Sequence, residues 1–201
     1  MIPGFLTREF LAGRRQSLLS PFKIYLVCAA IFFLSAPVAG FKLESMIVSD
    51  QSGDLGRLVS ARVSEVGLDP PLFAARFDIR VQTVYTIIFG AIALVFALFL
   101  QLLYRKGQPY GAHLIFALHY ISFMYLVTIA AGLSRTTGMS TDAGALIGYV
   151  VITTYLMVAL KRVYSESTRM TLLKGAAILL LTLVVNAFAN FSAIRITLAL
   201  V

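Results

Sequence analysis

Few side chains in this sequence are equipped for chemistry, and their spacing limits what they could do. There are two histidines, His113 and His119, and one cysteine, Cys28, in 201 residues. Six positions apart on a helix, the two imidazoles point about 120° away from each other. They cannot share one metal ion, as a pair spaced i, i+4 could. His113 falls in the first turn of an apolar run, close to its polar boundary, where an imidazole costs little; His113→Gln is expected to be nearly neutral. His119 lies about 12 Å further in than residue 111 at helical rise, near the middle of a bilayer. At that depth an imidazole is expected to hydrogen-bond to a neighbouring helix. The alternative role for His119 is that of an axial ligand to a haem or chlorophyll-type macrocycle.

Other polar or small residues carry weaker signals. Asn186 and Asn190, i and i+4, share a helix face, and amides in hydrocarbon need partners, so that face is expected to pack on another helix or subunit. Gly144 and Gly148 form a G-x-x-x-G that allows close backbone approach. Cys28 sits within an apolar run and can build neither a disulfide framework nor a zinc site. No aspartate or glutamate falls within an apolar run, and no lysine or arginine falls at the middle of one. Ion-coupled transporters and proton pumps usually show such a residue. Nor does the sequence assemble a nucleophile with its base, a phosphate-binding loop or a metal cluster.

These residues must be positioned by elements that composition places in a membrane. Hydrophobic residues make up 59% of the chain and charged residues 13%, against 45–50% apolar in typical soluble domains. Mean hydropathy is +0.88. The net charge of +8 is spread over short segments between apolar runs, which is no footprint for nucleic acid. The expected fold is all-α: an integral membrane bundle of about five transmembrane helices, with an N-terminal interfacial helix and one outer amphipathic helix.

Residues 1–20 mix Arg8, Glu9, Arg14 and Arg15 with Phe5, Leu6, Phe10, Leu18 and Leu19, which suggests an interfacial helix. The transmembrane domain then spans 21–201. Its first helix, about 21–41, is read as retained rather than as a signal peptide, because the basic region before it is long. Residues 42–81 form an outer loop. Within it Leu55, Leu58, Val59, Val63 and Val66 recur at helical spacing, with Asp54 as N-cap and Gly67 as stop. Pro70-Pro71 opens an extension of the second helix, about 82–104. After the polar turn at Arg105-Lys106-Gly107-Gln108-Pro109 come helices at about 110–133 and 143–160, and a fifth beginning at Lys174.

Basic residues set the expected orientation. The N-terminal segment, the 105–106 turn and the 161–174 loop hold ten basic residues against two acids; the other side holds seven against seven. The N-terminus is therefore expected in the cytoplasm and the C-terminus outside. Arg195 lies 21 residues after Lys174, ~32 Å at helical rise and close to one bilayer core. The two are expected to anchor opposite interfaces, leaving an apolar tail, 196–201, to return to lipid by tilting of the helix, to pack on the outer segment or, as the favoured case, to pack on a partner.

Three phrases occur together: Gly13-Arg14-Arg15 with Leu19-Ser20-Pro21-Phe22-Lys23-Ile24-Tyr25 and Phe32-Phe33-Leu34; Tyr110-Gly111-Ala112-His113 through His119 to Phe123; and Tyr155 through Ala159-Leu160-Lys161-Arg162-Val163-Tyr164. In this order they resemble a family of uncharacterised bacterial multi-pass membrane proteins. The resemblance implies a location in the bacterial inner membrane and assigns no activity. It also implies an N-terminal cysteine-rich zinc ribbon in many members, which this chain, with its single cysteine, lacks.

The resulting expectation is a non-catalytic membrane subunit or scaffold, with the lipid bilayer and other membrane subunits as partners and no nucleic acid. Its interaction residues are Asn186, Asn190, Arg195, Gly144 and Gly148. The alternatives are a cofactor-bearing bundle with His119 as ligand, or a small-molecule or lipid transporter.

Overall fold

The computed structural model describes residues 2–14, 19–35, 43–50, 52–104, 107–134 and 138–201. These fold into eight helices: α1 (Phe5–Leu11), α2 (Pro21–Ser35), α3 (Leu43–Ser49), α4 (Asp54–Val66), α5 (Pro70–Leu103), α6 (Tyr110–Leu133), α7 (Thr141–Tyr164) and α8 (Thr168–Leu200). Four of them, α5 to α8, are long and apolar enough to cross a membrane. The described residues are all-α, as composition predicts, with four helices apolar enough to cross a membrane where about five are expected. Arg15, the end of the first expected span at 36–41, the Arg105-Lys106 turn and residues 135–137 lie outside the described residues.

The helix boundaries follow local chemistry. Pro21 and Pro70 each open a helix, where a missing N–H costs nothing. Ser140 caps α7 by accepting a hydrogen bond from the Ala143 amide. Gly67 ends α4 at φ 68°, the left-handed conformation glycine adopts freely. At the end of α7 the same role falls to Ser165, at φ 52°.

Four boundaries differ from the sequence reading. The N-terminal helix occupies only Phe5–Leu11, ending at a turn through Ala12 and Gly13. Asp54 is the first residue of α4 rather than its cap. The Asp50 carboxylate does that work instead, accepting from the amides of Ser52 and Leu55. A short helix, α3, was not expected at all. Finally, α7 continues to Tyr164 and α8 begins at Thr168, so the polar stretch 161–174 is mostly helical. Its polarity was mistaken for a loop; Ser167 caps the new turn, with its hydroxyl accepting from the Met170 amide.

The chain divides into two compact units. The first comprises Met1–Phe32 and Ala91–Val184, and α6 is its centre. From Ala112 to Tyr125, α6 is buried on nearly every side, as expected of a helix enclosed by others. Helices α1 and α7 pack against it, and Leu100 of α5, Leu156 and Leu160 of α7 and Ile178 of α8 are fully buried. Tyr125 stacks on Phe32 of α2 at 4.7 Å between ring centroids.

The second unit comprises Phe33–Gly90 and Val185–Val201. Its core is built on the first half of α5, where Phe73, Phe77 and Val81 are completely buried with Leu43, Val59, Ala193 and Leu198 around them. Asp78 accepts a 2.8 Å hydrogen bond from the Leu43 amide, which fixes the start of α3.

Candidate functional site

In the first unit four helix ends converge on one aromatic and charged cluster. Tyr104 follows the end of α5, His113 lies in the first turn of α6, Tyr164 closes α7, and Lys174 stands in the second turn of α8. The Tyr104 and Tyr164 rings stack at 3.7 Å between centroids and 13° between planes. His113 lies beside them, 5.5 Å from Tyr164 and nearly parallel. Its Nδ1 and the Tyr164 hydroxyl form a 2.7 Å hydrogen bond whose donor is set by the imidazole tautomer. The Lys174 ammonium sits 4.0 Å above the other aromatic face, that of Tyr104, and donates to Glu166 at 2.5 Å.

The sequence reading placed His113 at a cheap, nearly neutral position. The structure corrects this: His113 is 0% exposed. Covering comes from tyrosines of two other helix ends, which no local pattern around His113 encodes. Tyr104, Tyr164 and Lys174 all fall at the same ends of their apolar runs in the sequence, and that common depth is the available signal that they meet.

His119 is also buried, at 7% exposed, and its Nδ1 lies 2.9 Å from the Thr7 hydroxyl. Thr7, on α1, is itself 2% exposed. The N-terminal helix is thus seated on the bundle. Arg162 of α7 donates to the Pro3 carbonyl at 2.6 Å. Gly4, at φ 73°, lies so close to α7 that a Cβ there would stand 3.0 Å from the Ala159 Cα, a position only glycine fills.

The remaining expected residues find neighbours in their own chain. Gly144 and Gly148 face α6: a Cβ on Gly144 would meet Ser134 Oγ at 2.9 Å, and one on Gly148 would meet Val127 at 3.6 Å. Beside them opens an apolar cavity of about 260 Å³. In the second unit, Asn190 accepts a 2.8 Å hydrogen bond from the Tyr85 hydroxyl and donates to the Asn186 carbonyl. Arg195 is exposed and lies over the Phe191 ring at 5.4 Å. The terminal stretch stays helical to Leu200, with Thr197 fully buried. Arg62 of α4 donates to the Leu198 and Ala199 carbonyls. The tail therefore packs on the amphipathic helix α4 of its own chain, whereas the sequence reading favoured a partner.

What the fold and these clusters define is a multi-helix membrane protein whose polar side chains tie helix to helix. Among known families, residues 1–33 match one described as a protein of unknown function (DUF3667). The match takes in the first of the three phrases singled out in the sequence, save its last residue, Leu34; the His113–His119 segment and the phrase ending at Tyr164 lie outside it. No curated protein and no solved structure matches the chain.

Proposed function

We propose that this chain is a non-catalytic subunit of a larger membrane assembly, inserted in a bacterial inner membrane with its N-terminus in the cytoplasm. The observation that carries the reading is α8. Only 17% of its most apolar stretch is covered by the rest of the chain, and Leu180, Leu183, Val184, Phe188 and Phe191 are each more than half exposed. A face that broad suits neighbouring helices as well as lipid. The non-catalytic part rests on the sequence, which assembles no nucleophile with its base, no phosphate-binding loop and no metal cluster. The orientation rests on the excess of basic residues in the short segments beside the apolar runs.

Photo-crosslinkers placed at Leu183 and Phe188 in native membranes test the proposal. A discrete protein adduct at either position is the expected result. Adducts to lipid alone, together with a monomeric mass in mild detergent, would overturn it.

A further inference from the structure

Between α4 and the end of α8, in the second unit, lies a groove of about 320 Å³ lined by Leu58, Ala61, Arg62, Glu65, Arg195 and the Leu198 turn. That volume is at the lower end of the ~300–1,000 Å³ typical of small-ligand sites. Its charges are not equivalent. The Arg62 guanidinium is committed to the Leu198 and Ala199 carbonyls and to one oxygen of Glu65. Arg195 makes no hydrogen bond or ion pair with any described residue, and its guanidinium lies over the Phe191 ring. Glu65 commits only Oε2 to Arg62, and its side chain is 68% exposed.

We propose that this groove binds the headgroup of a phosphoethanolamine lipid, with the phosphate on Arg195 and the primary ammonium on Glu65. Three observations converge on that occupant. A guanidinium with free donors matches a phosphate in charge and in fork geometry. A carboxylate with one oxygen free stands in the same groove and would repel a purely anionic headgroup while receiving an ammonium. The depth follows from the proposed topology: with Lys174 at the cytoplasmic interface, the ~32 Å from Lys174 to Arg195 along α8 at helical rise puts Arg195 at the opposite headgroup layer. The exposed rings of Phe191 and Phe188, one and two turns before Arg195 on the same helix, give the acyl chains an apolar path.

The test is native mass spectrometry of the delipidated full chain titrated with short-chain phosphatidylethanolamine, phosphatidylglycerol and phosphatidylcholine, and separately with inorganic phosphate. The ethanolamine lipid should bind at least fivefold more tightly than either other lipid, and inorganic phosphate should not compete at equal concentration. Arg195→Gln should weaken ethanolamine-lipid binding about tenfold, and Glu65→Gln should remove the preference over the choline lipid. Arg57→Gln, on α4 but outside the groove, should change nothing. Ala61→Leu, which narrows the groove without altering charge, should also weaken binding and serves if Arg195→Gln fails to fold. Tighter glycerol-lipid binding, equal losses from Arg57→Gln and Arg195→Gln, or competition by free phosphate would each overturn the proposal.

Discussion

A buried imidazole with one hydrogen bond to a tyrosine is costly to disturb from either side. Removing His113 leaves the Tyr164 hydroxyl facing a stack of rings, and an unsatisfied buried group costs ~1–3 kcal/mol. His113→Leu should therefore destabilise the folded chain in detergent by about that amount, read as a loss of melting temperature. Tyr164→Phe keeps the 3.7 Å stack on Tyr104 but leaves the buried His113 Nδ1 without its hydroxyl partner, so it too should cost ~1–3 kcal/mol. Equal melting of wild type and His113→Leu would mean that the imidazole is not held as described. At Ser165 the sign reverses. Its φ of 52° costs a residue with a Cβ ~1 kcal/mol, so Ser165→Gly should raise stability by roughly that much. The two histidines also show how far the sequence could be read. Depth alone required a partner for His119, and Thr7 supplies it. It could not name Thr7, because α1 looked like a surface helix, nor bury His113, because its cover is assembled from other helix ends.

At the scale of elements, α1 and the α3–α4 turn behave as clamps rather than as passive surface segments. Helix α1 has only seven residues, too few to be stable alone, so its contacts with α6 and α7 must hold it. The Thr7–His119 bond is the polar part of that hold. In a double-mutant cycle, Thr7→Val and His119→Leu should each destabilise, and their coupling should be ~0.6–1.7 kcal/mol. Additive effects would mean that the bond contributes nothing. Helix α4 was legible in its apolar spacing and its terminal glycine, yet its cap was not. Asp54 has the right residue type one position too late, whereas Asp50 reaches it through a turn. The Ser52 hydroxyl first, and then the Leu55 amide, hold the Asp50 carboxyl below the usual aspartate range. A depressed carboxyl stabilises the turn above its unfolded pKa and loses that contribution as pH falls through the folded one. The Leu55 amide resonance should accordingly titrate below the ordinary aspartate midpoint, and Asp50→Asn should abolish that titration.

Across the whole molecule, the number of membrane crossings can be tested by parity. Helices α5, α6 and α7 lie between Ser52 and Ser165, and each is long and apolar enough to span. Three crossings place the two serines on opposite sides, whatever α2 does. Helix α2 is the short element, because its 15 residues rise only ~22 Å, short of a ~30 Å core. The apolar sequence continues through residues 36–41, and the expected five-span topology needs that continuation to complete the crossing. Ser20, Ser52 and Ser165 are all exposed, so cysteines placed singly at these positions in a Cys28→Ala background can be labelled with a membrane-impermeant maleimide. Labelling from outside the cell should reach Ser52→Cys and spare both Ser20→Cys and Ser165→Cys. The basic residues dictate that pattern, since Arg8, Arg14, Arg162 and Arg169 then all stay on the cytoplasmic side. If Ser20→Cys is labelled together with Ser52→Cys, α2 does not cross and the chain has four spans. If Ser52→Cys and Ser165→Cys are labelled from the same side, one of α5 to α7 fails to cross, and the five-span topology falls with it.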